Sequence, residues 1–111
     1  MRNWAEFAIQ GNIAKIDTAS TAVRVDIAAN YSRKKKDSDE WENDPHFNRV
    51  TFFGRDGERV AKYGVGDLIH VRGRVRQGSY DKAGERIYTV DLIADDFARV
   101  SKKEHNAEGA D

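Results

Sequence analysis

Hydrophobic and polar residues alternate along five segments of the chain, which is the pattern of a strand with one buried and one exposed face. In the second segment, Val23, Val25 and Ile27 fall on one face. In the third, Val50 and Phe52 take the buried face. The alternation predicts strands over residues 4–16, 22–31, 47–53, 67–76 and 86–100.

The segments between these strands define the predicted fold. Small polar residues at 17–21 predict a turn that makes an antiparallel hairpin of the first two strands, and residues 78–84 are also turn-rich. Residues 56–63 predict a short helix, because Asp56 can cap its start and Gly64 can end it. Five strands with one short helix between the third and fourth predict an all-β protein, a five-stranded Greek-key OB-fold barrel.

Residues 32–45 predict a long exposed loop. Four cations are followed there by five acids, and Trp41 is the one large apolar side chain. Loops of this length in compact domains tend to be functional. We expect one domain over residues 1–100, followed by a short flexible tail over 101–111, which is polar and has no apolar pattern.

Composition limits the classes of protein to consider. The chain has 111 residues, of which 39% are hydrophobic, and its 19 basic and 19 acidic residues cancel to a net charge of zero. The absence of cysteine excludes disulfides and thiolate metal sites. No apolar run is long enough for a membrane span or a signal peptide, so we expect a cytoplasmic protein that does not associate with membranes. Attraction to nucleic acid would depend on how the charges are distributed.

Motifs of enzymes and metal sites are scarce. The three histidines lie far apart, and a glycine pair at Gly64 and Gly66 precedes a strand where a nucleotide-binding loop would open a helix. Asp95 and Asp96 are neighbours on a strand, so we expect them to point to opposite faces rather than to form an acid/base pair. We therefore expect no catalytic residue, no metal and no cofactor.

Aromatic residues fall on the outward face of the third strand. With Val50 and Phe52 in the core, the alternation places Phe47, Arg49 and Phe53 on the other side. Two exposed phenyl rings favour a surface that covers them, and unpaired bases can do so by stacking. The alternative is that a flanking loop or another subunit covers them.

Basic residues fall on the outward face of the fourth strand. Arg72, Arg74 and Arg76 recur at every second position, as phosphate-binding residues along a strand would. Residues 70–90 carry five cations against two acids, to which Lys82 and Arg86 contribute. The alternative is that these arginines form ion pairs with acids of a neighbouring strand such as Asp91, or with acids of the tail.

The predicted loop adds a second basic group beside two aromatic residues, Tyr31 and Trp41. This arrangement suits phosphates and stacked bases, although the acids of the same loop offset its charge. Trp4 is expected to pack at a barrel edge or a subunit contact. The cations of the loop are Arg33, Lys34, Lys35 and Lys36.

Three segments give the chain a resemblance to the bacterial single-stranded-DNA-binding protein family over residues 3–103. They are Ile-Gln-Gly-Asn-Ile-Ala at 9–14, Phe-Asn-Arg-Val-Thr-Phe-Phe-Gly at 47–54, and Gly-Asp-Leu-Ile-His-Val-Arg-Gly-Arg-Val-Arg at 66–76. Phe47, Phe53 and Tyr80 match positions at which the family stacks bases on aromatic side chains. Arg33 falls near another such position, where Tyr31 or Trp41 is expected to substitute.

The resemblance implies sequence-independent binding of single-stranded DNA in replication, recombination or repair. It also implies a homo-oligomer, a tetramer with a dimer as the alternative. The chain lacks the family's acidic tip finished by proline and phenylalanine, so we do not expect protein recruitment through the tail. The alternative function is an OB-fold accessory module that binds RNA or a replication protein.

Overall fold

The computed structural model describes residues 3–103. The all-β class and the single short helix between the third and fourth strands are confirmed. Residues 104–111, most of the segment predicted as a flexible tail, lie outside the described residues, so that prediction stays a prediction. The elements are β1 (Glu6–Asp17), β2 (Val23–Lys34), β3 (Trp41–Phe52), α1 (Gly54–Val60), β4 (Leu68–Lys82) and β5 (Glu85–Ser101).

The five strands form a closed barrel in the order β1-β2-β3-β5-β4. Every neighbouring pair is antiparallel except β3 and β5, which pair in parallel over a short stretch at Val50 and Thr51. The pairing of β1 with β4 closes the barrel. This topology confirms the five-stranded barrel predicted from the order of elements.

The core contains the residues that the alternation placed inside. Val25, Ile27, Val50 and Phe52 are fully buried, and the ring of Phe52 meets that of Phe97 edge-on at 5.0 Å. Each such side chain contributes about 1.5–3 kcal/mol by leaving water. The burial of alternate positions is what fixes the outward direction of the remaining side chains.

The prediction of a long loop over residues 32–45 is wrong. β2 and β3 continue through it as a two-stranded hairpin, and the Lys35 amide donates to the Glu40 carbonyl at 2.9 Å across a short connection. Asp37, in that connection, adopts a φ of 64°. Because both faces of this ribbon are exposed, its strands carry polar residues throughout, and the sequence has no hydrophobic alternation to reveal them.

The turn-rich segment at 78–84 likewise belongs to a hairpin. β4 runs to Lys82, and the reversal occurs at Ala83 and Gly84, whose φ values of 51° and 85° are typical of a two-residue hairpin turn. Tyr88 and Val90, which continue the alternation of the buried face, are exposed because the hairpin leaves the barrel.

The helix also differs from its prediction. It begins at Gly54 rather than Asp56, with Phe53 at the capping position and no side-chain cap.

Candidate nucleic-acid interface

The outward face of β3 carries a row of side chains, here called the outer stripe: Trp41, Phe47, Arg49 and Phe53. Phe47 is 64% exposed and Phe53 is 51% exposed. Phe53 follows the end of β3 in extended conformation, so the alternation continues to it. Phe47 and Phe53 are six positions apart along the chain, a span of about 20 Å for an extended strand. The structure therefore places two apolar rings in solvent on one face, as the sequence predicted.

Arg49 lies between these rings and is held by an acid on β2. Its Nε donates to Oδ1 of Asp26 at 2.8 Å, and the two residues face each other in the ladder. The hydrogen bond to Asp26 raises the pKa of the Arg49 guanidinium. The ion pair with Asp26 therefore orients the Arg49 guanidinium and partly neutralises its charge.

The arginine row on β4 comprises Arg72, Arg74 and Arg76, all exposed and outward. Two of the three form the ion pairs considered as the alternative, with Arg74 Nε 3.2 Å from Asp95 and Arg76 Nη2 3.6 Å from Asp91. Arg72 has no ion pair within residues 3–103. Exposed pairs contribute at most about 1 kcal/mol, so a phosphate can compete for either arginine.

A β-bulge shapes the strand opposite this row. Arg72 pairs with Asp96 and Gly73 pairs with Ala94, so that Asp95 is the extra residue. Both aspartates are exposed, and Asp95 reaches Arg74. The expectation that they point to opposite faces is wrong, because the bulge interrupts the alternation.

The same bulge requires a glycine at position 73. A Cβ there would overlap the carbonyl oxygen of Ile93.

The β4–β5 hairpin has two faces, and the predicted residues are divided between them. Tyr80 and Lys82 follow the parity of the arginine row and share its face. Arg86 pairs with Asp81 on the opposite face, with 3.6 Å between Arg86 Nε and Asp81 Oδ1. The structure therefore does not bring Arg86 together with the other predicted phosphate-binding residues of β4.

The β2–β3 hairpin also has two faces. Trp41 shares the face of Phe47, whereas Tyr31 lies on the other face, with its ring 4.9 Å from that of His46. Asp44 accepts a hydrogen bond from His46, which lowers the pKa of the Asp44 carboxyl. Of the two proposed substitutes for the aromatic position near Arg33, Trp41 is the one that the structure places with Phe47.

The far end of this hairpin, residues 33–44, is here called the hairpin tip, and it holds the predicted cluster of four cations. Arg33 Nε lies 3.1 Å from Glu42, Lys34 Nζ lies 3.6 Å from Asp39, and Lys35 Nζ lies 3.3 Å from Glu40. The hydrogen bond to Glu42 raises the pKa of Arg33. Lys36 has no such partner in the described part of the chain.

Trp4 lies near the arginine row, which the sequence analysis did not predict, and its expected place at a barrel edge or a subunit contact stays a prediction. It is 77% exposed and lines an open groove of about 630 Å³ with Arg74, Arg76 and Ile93. It reaches them because β1 pairs with β4, which sets Glu6 opposite Arg74. The sequence predicts both strands but not that they are neighbours.

Two further properties of the described residues bear on function. Within residues 3–103, no three histidine, cysteine, aspartate or glutamate side chains converge on a point that could hold a metal ion. The helix described there is too short to cross a membrane.

Comparisons with known proteins assign the chain to a family. Single-stranded DNA-binding protein 1 of Xylella fastidiosa is 30% identical over 97 residues, covering 86% of this chain and 71% of that protein. Single-stranded DNA-binding protein 2 of Streptococcus agalactiae is 31% identical over 96 residues, with the same coverage of 86% and 71%.

Solved structures share the fold. The small single-stranded DNA-binding protein of Streptomyces coelicolor superposes with a TM-score of 0.59 at 18% identity, covering 88% of this chain and 95% of the other. A Plasmodium falciparum protein in complex with single-stranded DNA superposes with a TM-score of 0.67 at 11% identity, covering 91% and 98%. The model of the single-strand binding protein family matches residues 8–100, and the chain therefore belongs to that family.

Proposed function

We propose that this protein binds single-stranded DNA without sequence preference and serves replication, recombination or repair. The observation that carries the proposal is the outer stripe, where Phe47 and Phe53 are exposed on either side of Arg49. Membership of the single-strand binding protein family and relatives named for single-stranded DNA binding support it.

Stacking accounts for the preference for single strands. A base on an aromatic ring contributes about 1–3 kcal/mol whatever its identity, and only an unpaired base exposes its faces. Phe47, Phe53 and Tyr80 are the proposed stacking residues, and Trp41 extends the outer stripe towards the hairpin tip. No side chain is proposed to read base edges, so sequence specificity is not expected.

Phosphate binding is proposed for the cations on the same outward faces. Arg72 is available directly, and Arg74, Arg76 and Arg49 can exchange a surface carboxylate for a phosphate. Lys82 follows on the face of Tyr80. Tyr31 and Arg86 lie on the other faces of their hairpins, and a DNA strand would reach them only by turning round a hairpin edge.

We also propose that residues 1–100 form one DNA-binding domain, that the protein acts in the cytoplasm as a homotetramer, and that no cofactor or catalytic step is involved. Family membership supports this organisation.

The test is a titration with oligothymidine that follows the emission of Trp4 and Trp41 across a salt series, beside duplex DNA of equal mass. Saturable quenching by the single strand with an inert duplex is expected. Phe47→Ala with Phe53→Ala is expected to weaken binding about thirty-fold or more, from two lost stacking contacts.

The matched control is Val65→Ala, an exposed apolar residue outside the outer stripe, which should leave the affinity unchanged. Equal binding of duplex, or an unaltered double variant, would contradict the proposal. No response to either DNA would favour RNA or a replication protein as the partner.

A further inference from the structure

The basic residues of the hairpin tip already form ion pairs with carboxylates of the same chain. Arg33, Lys34 and Lys35 follow one another at the end of β2, and each has its own acid within ion-pairing distance. The acids, Glu42, Asp39 and Glu40, lie on the returning strand and the short connection. Three consecutive cations are thus matched by three acids.

The register of the hairpin builds this matching into the fold. Arg33 lies directly opposite Glu42, and the backbone hydrogen bond from Lys35 to Glu40 fixes the next step of the ladder. Because the pairing of β2 and β3 has no bulge, the ladder keeps the backbone of Glu42 beside that of Arg33. The carboxylates of the tip therefore stay within reach of its cations.

The tip differs in charge from the rest of the proposed interface. Residues 33–44 carry four cations and five acids, whereas residues 70–90 carry five cations and two acids. The tip also holds Trp41 and, directly opposite it, Lys34 on the face of Phe47, whereas Arg33 and Glu42 lie on the face of Tyr31. A ring for stacking therefore lies beside one neutralised cation, Lys34. The side chains of all six paired residues remain accessible to solvent, and exposed pairs of this kind are weak enough to exchange.

We propose that Asp39, Glu40 and Glu42 act as intramolecular competitors of DNA phosphates at the hairpin tip. Single-stranded DNA that follows the face of Trp41 meets Lys34 first and must turn round the hairpin edge to reach Arg33, and it must displace the carboxylates to bind these cations. A displaced carboxylate stays beside its cation, so the tip adds little to the affinity of the unmodified protein or to its salt dependence. The inference rests on the proposed function and names a restraint on the same site.

The experiment compares the unmodified protein with Asp39→Asn/Glu40→Gln/Glu42→Gln, titrated with oligothymidine across a salt series. The triple variant is expected to bind about five-fold or more tightly at low salt. The slope of log affinity against log salt should steepen by about 2, from about 0.7 for each of three released cations.

A single substitution separates pairing from net charge. Asp39→Asn, which frees Lys34 on the face of Trp41, is compared with Asp37→Asn, which makes the same change in the same tip at a residue with no ion pair in the described chain. Asparagine tolerates the φ of 64° found at Asp37. Asp39→Asn should steepen the slope by about 0.7, and Asp37→Asn should leave it unchanged.

Further replacing Arg33, Lys34 and Lys35 by Gln in the triple variant should return the affinity to within about two-fold of the unmodified protein, because three pairs that cancel have then been removed. Thermal unfolding of each variant checks that the barrel is intact, and Asp39→Asn alone keeps the test decisive if the triple variant does not fold.

Equal effects of Asp39→Asn and Asp37→Asn, or weaker binding by the triple variant, would overturn the inference. Failure of the unmodified protein and of every variant to bind single-stranded DNA would instead remove the proposed function, and this inference with it.

Discussion

At the scale of single residues, Asp67 shows how one carboxylate organises the end of the barrel. It is 2% exposed and is the one charged residue buried within residues 3–103. Its Oδ2 accepts from the Gly64 amide and its Oδ1 from the Lys103 amide, both at 2.9 Å. Arg99 lies 3.4 Å from Oδ2. These donors bind the ionised form and lower the pKa of Asp67, although burial acts in the opposite direction.

The lowered pKa predicts a pH-dependent contribution to stability. The ionised carboxylate stabilises the fold above its unfolded pKa of about 3.9, and this contribution is lost as the pH falls through the lower folded value. Asp67→Asn should therefore lower the free energy of unfolding by about 1–3 kcal/mol at neutral pH. The difference from the unmodified protein should shrink in acid.

Urea unfolding at neutral and at acidic pH measures this difference, with the exposed helical substitution Glu58→Gln as control. A destabilisation that stays the same at every pH would show that the charge of Asp67 has no part in it.

The role of Asp67 could not be predicted from sequence, whereas that of Phe47 in part could. The outward direction of Phe47 follows from counting along one strand from Val50, which is a local rule. Two of the three partners of Asp67, Lys103 and Arg99, are more than thirty residues away, so they depend on the closed barrel. Local alternation predicts direction, and it does not predict partners.

At the scale of elements, the strands were predictable where they enclose the core and not where they leave it. The central parts of all five strands alternate because one face is buried. The hairpin between β2 and β3 beyond Ala29 has two exposed faces, and cross-strand pairs such as Arg33 with Glu42 help to stabilise it. The sequence of such a segment has the charged, non-alternating pattern of a loop, so the pattern predicts a loop where the structure has a hairpin.

The arginine row predicts an unequal salt dependence along β4. Arg72 has no ion pair in residues 3–103, so Arg72→Ala should reduce the salt slope of single-strand binding by about 0.7. Arg76→Ala should reduce it less, because Asp91 already neutralises part of that charge. Salt-dependent titrations with oligothymidine measure both slopes.

Arg86→Ala is the control for this series, since it removes the same side chain from the opposite face of the β4–β5 hairpin. Its slope should match that of the unmodified protein. A reduction equal to that of Arg72→Ala would mean that the DNA does not follow the face of the arginine row.

At the scale of the whole molecule, a net charge of zero conceals a separation of charge between the two hairpins. The β4–β5 hairpin carries an excess of cations and the hairpin tip an excess of acids. Attraction for DNA therefore depends on which hairpin it meets, and not on the total charge. The composition gives only the net charge. How much of the basic charge can bind phosphate depends on the pairing of β2 with β3, which sets acids opposite cations.

Exposed apolar side chains on the face away from the arginine row predict where copies of the chain meet. Val90 is 71% exposed, and Tyr88 lies beside it on the same face of the β4–β5 hairpin. Association would cover both, and a charge placed there would have to be buried without a partner. Val90→Lys should therefore lower the mass measured by light scattering from about four times the chain mass of 12.6 kDa.

Val65→Lys is the control, because Val65 is 57% exposed but lies outside this hairpin, between α1 and β4. Its mass should equal that of the unmodified protein, and both variants should unfold cooperatively. A tetramer that persists in Val90→Lys would place the subunit contact elsewhere, with the exposed Trp4 as the next residue to change. A monomer in the unmodified protein would mean that the outer stripe binds DNA from one barrel alone.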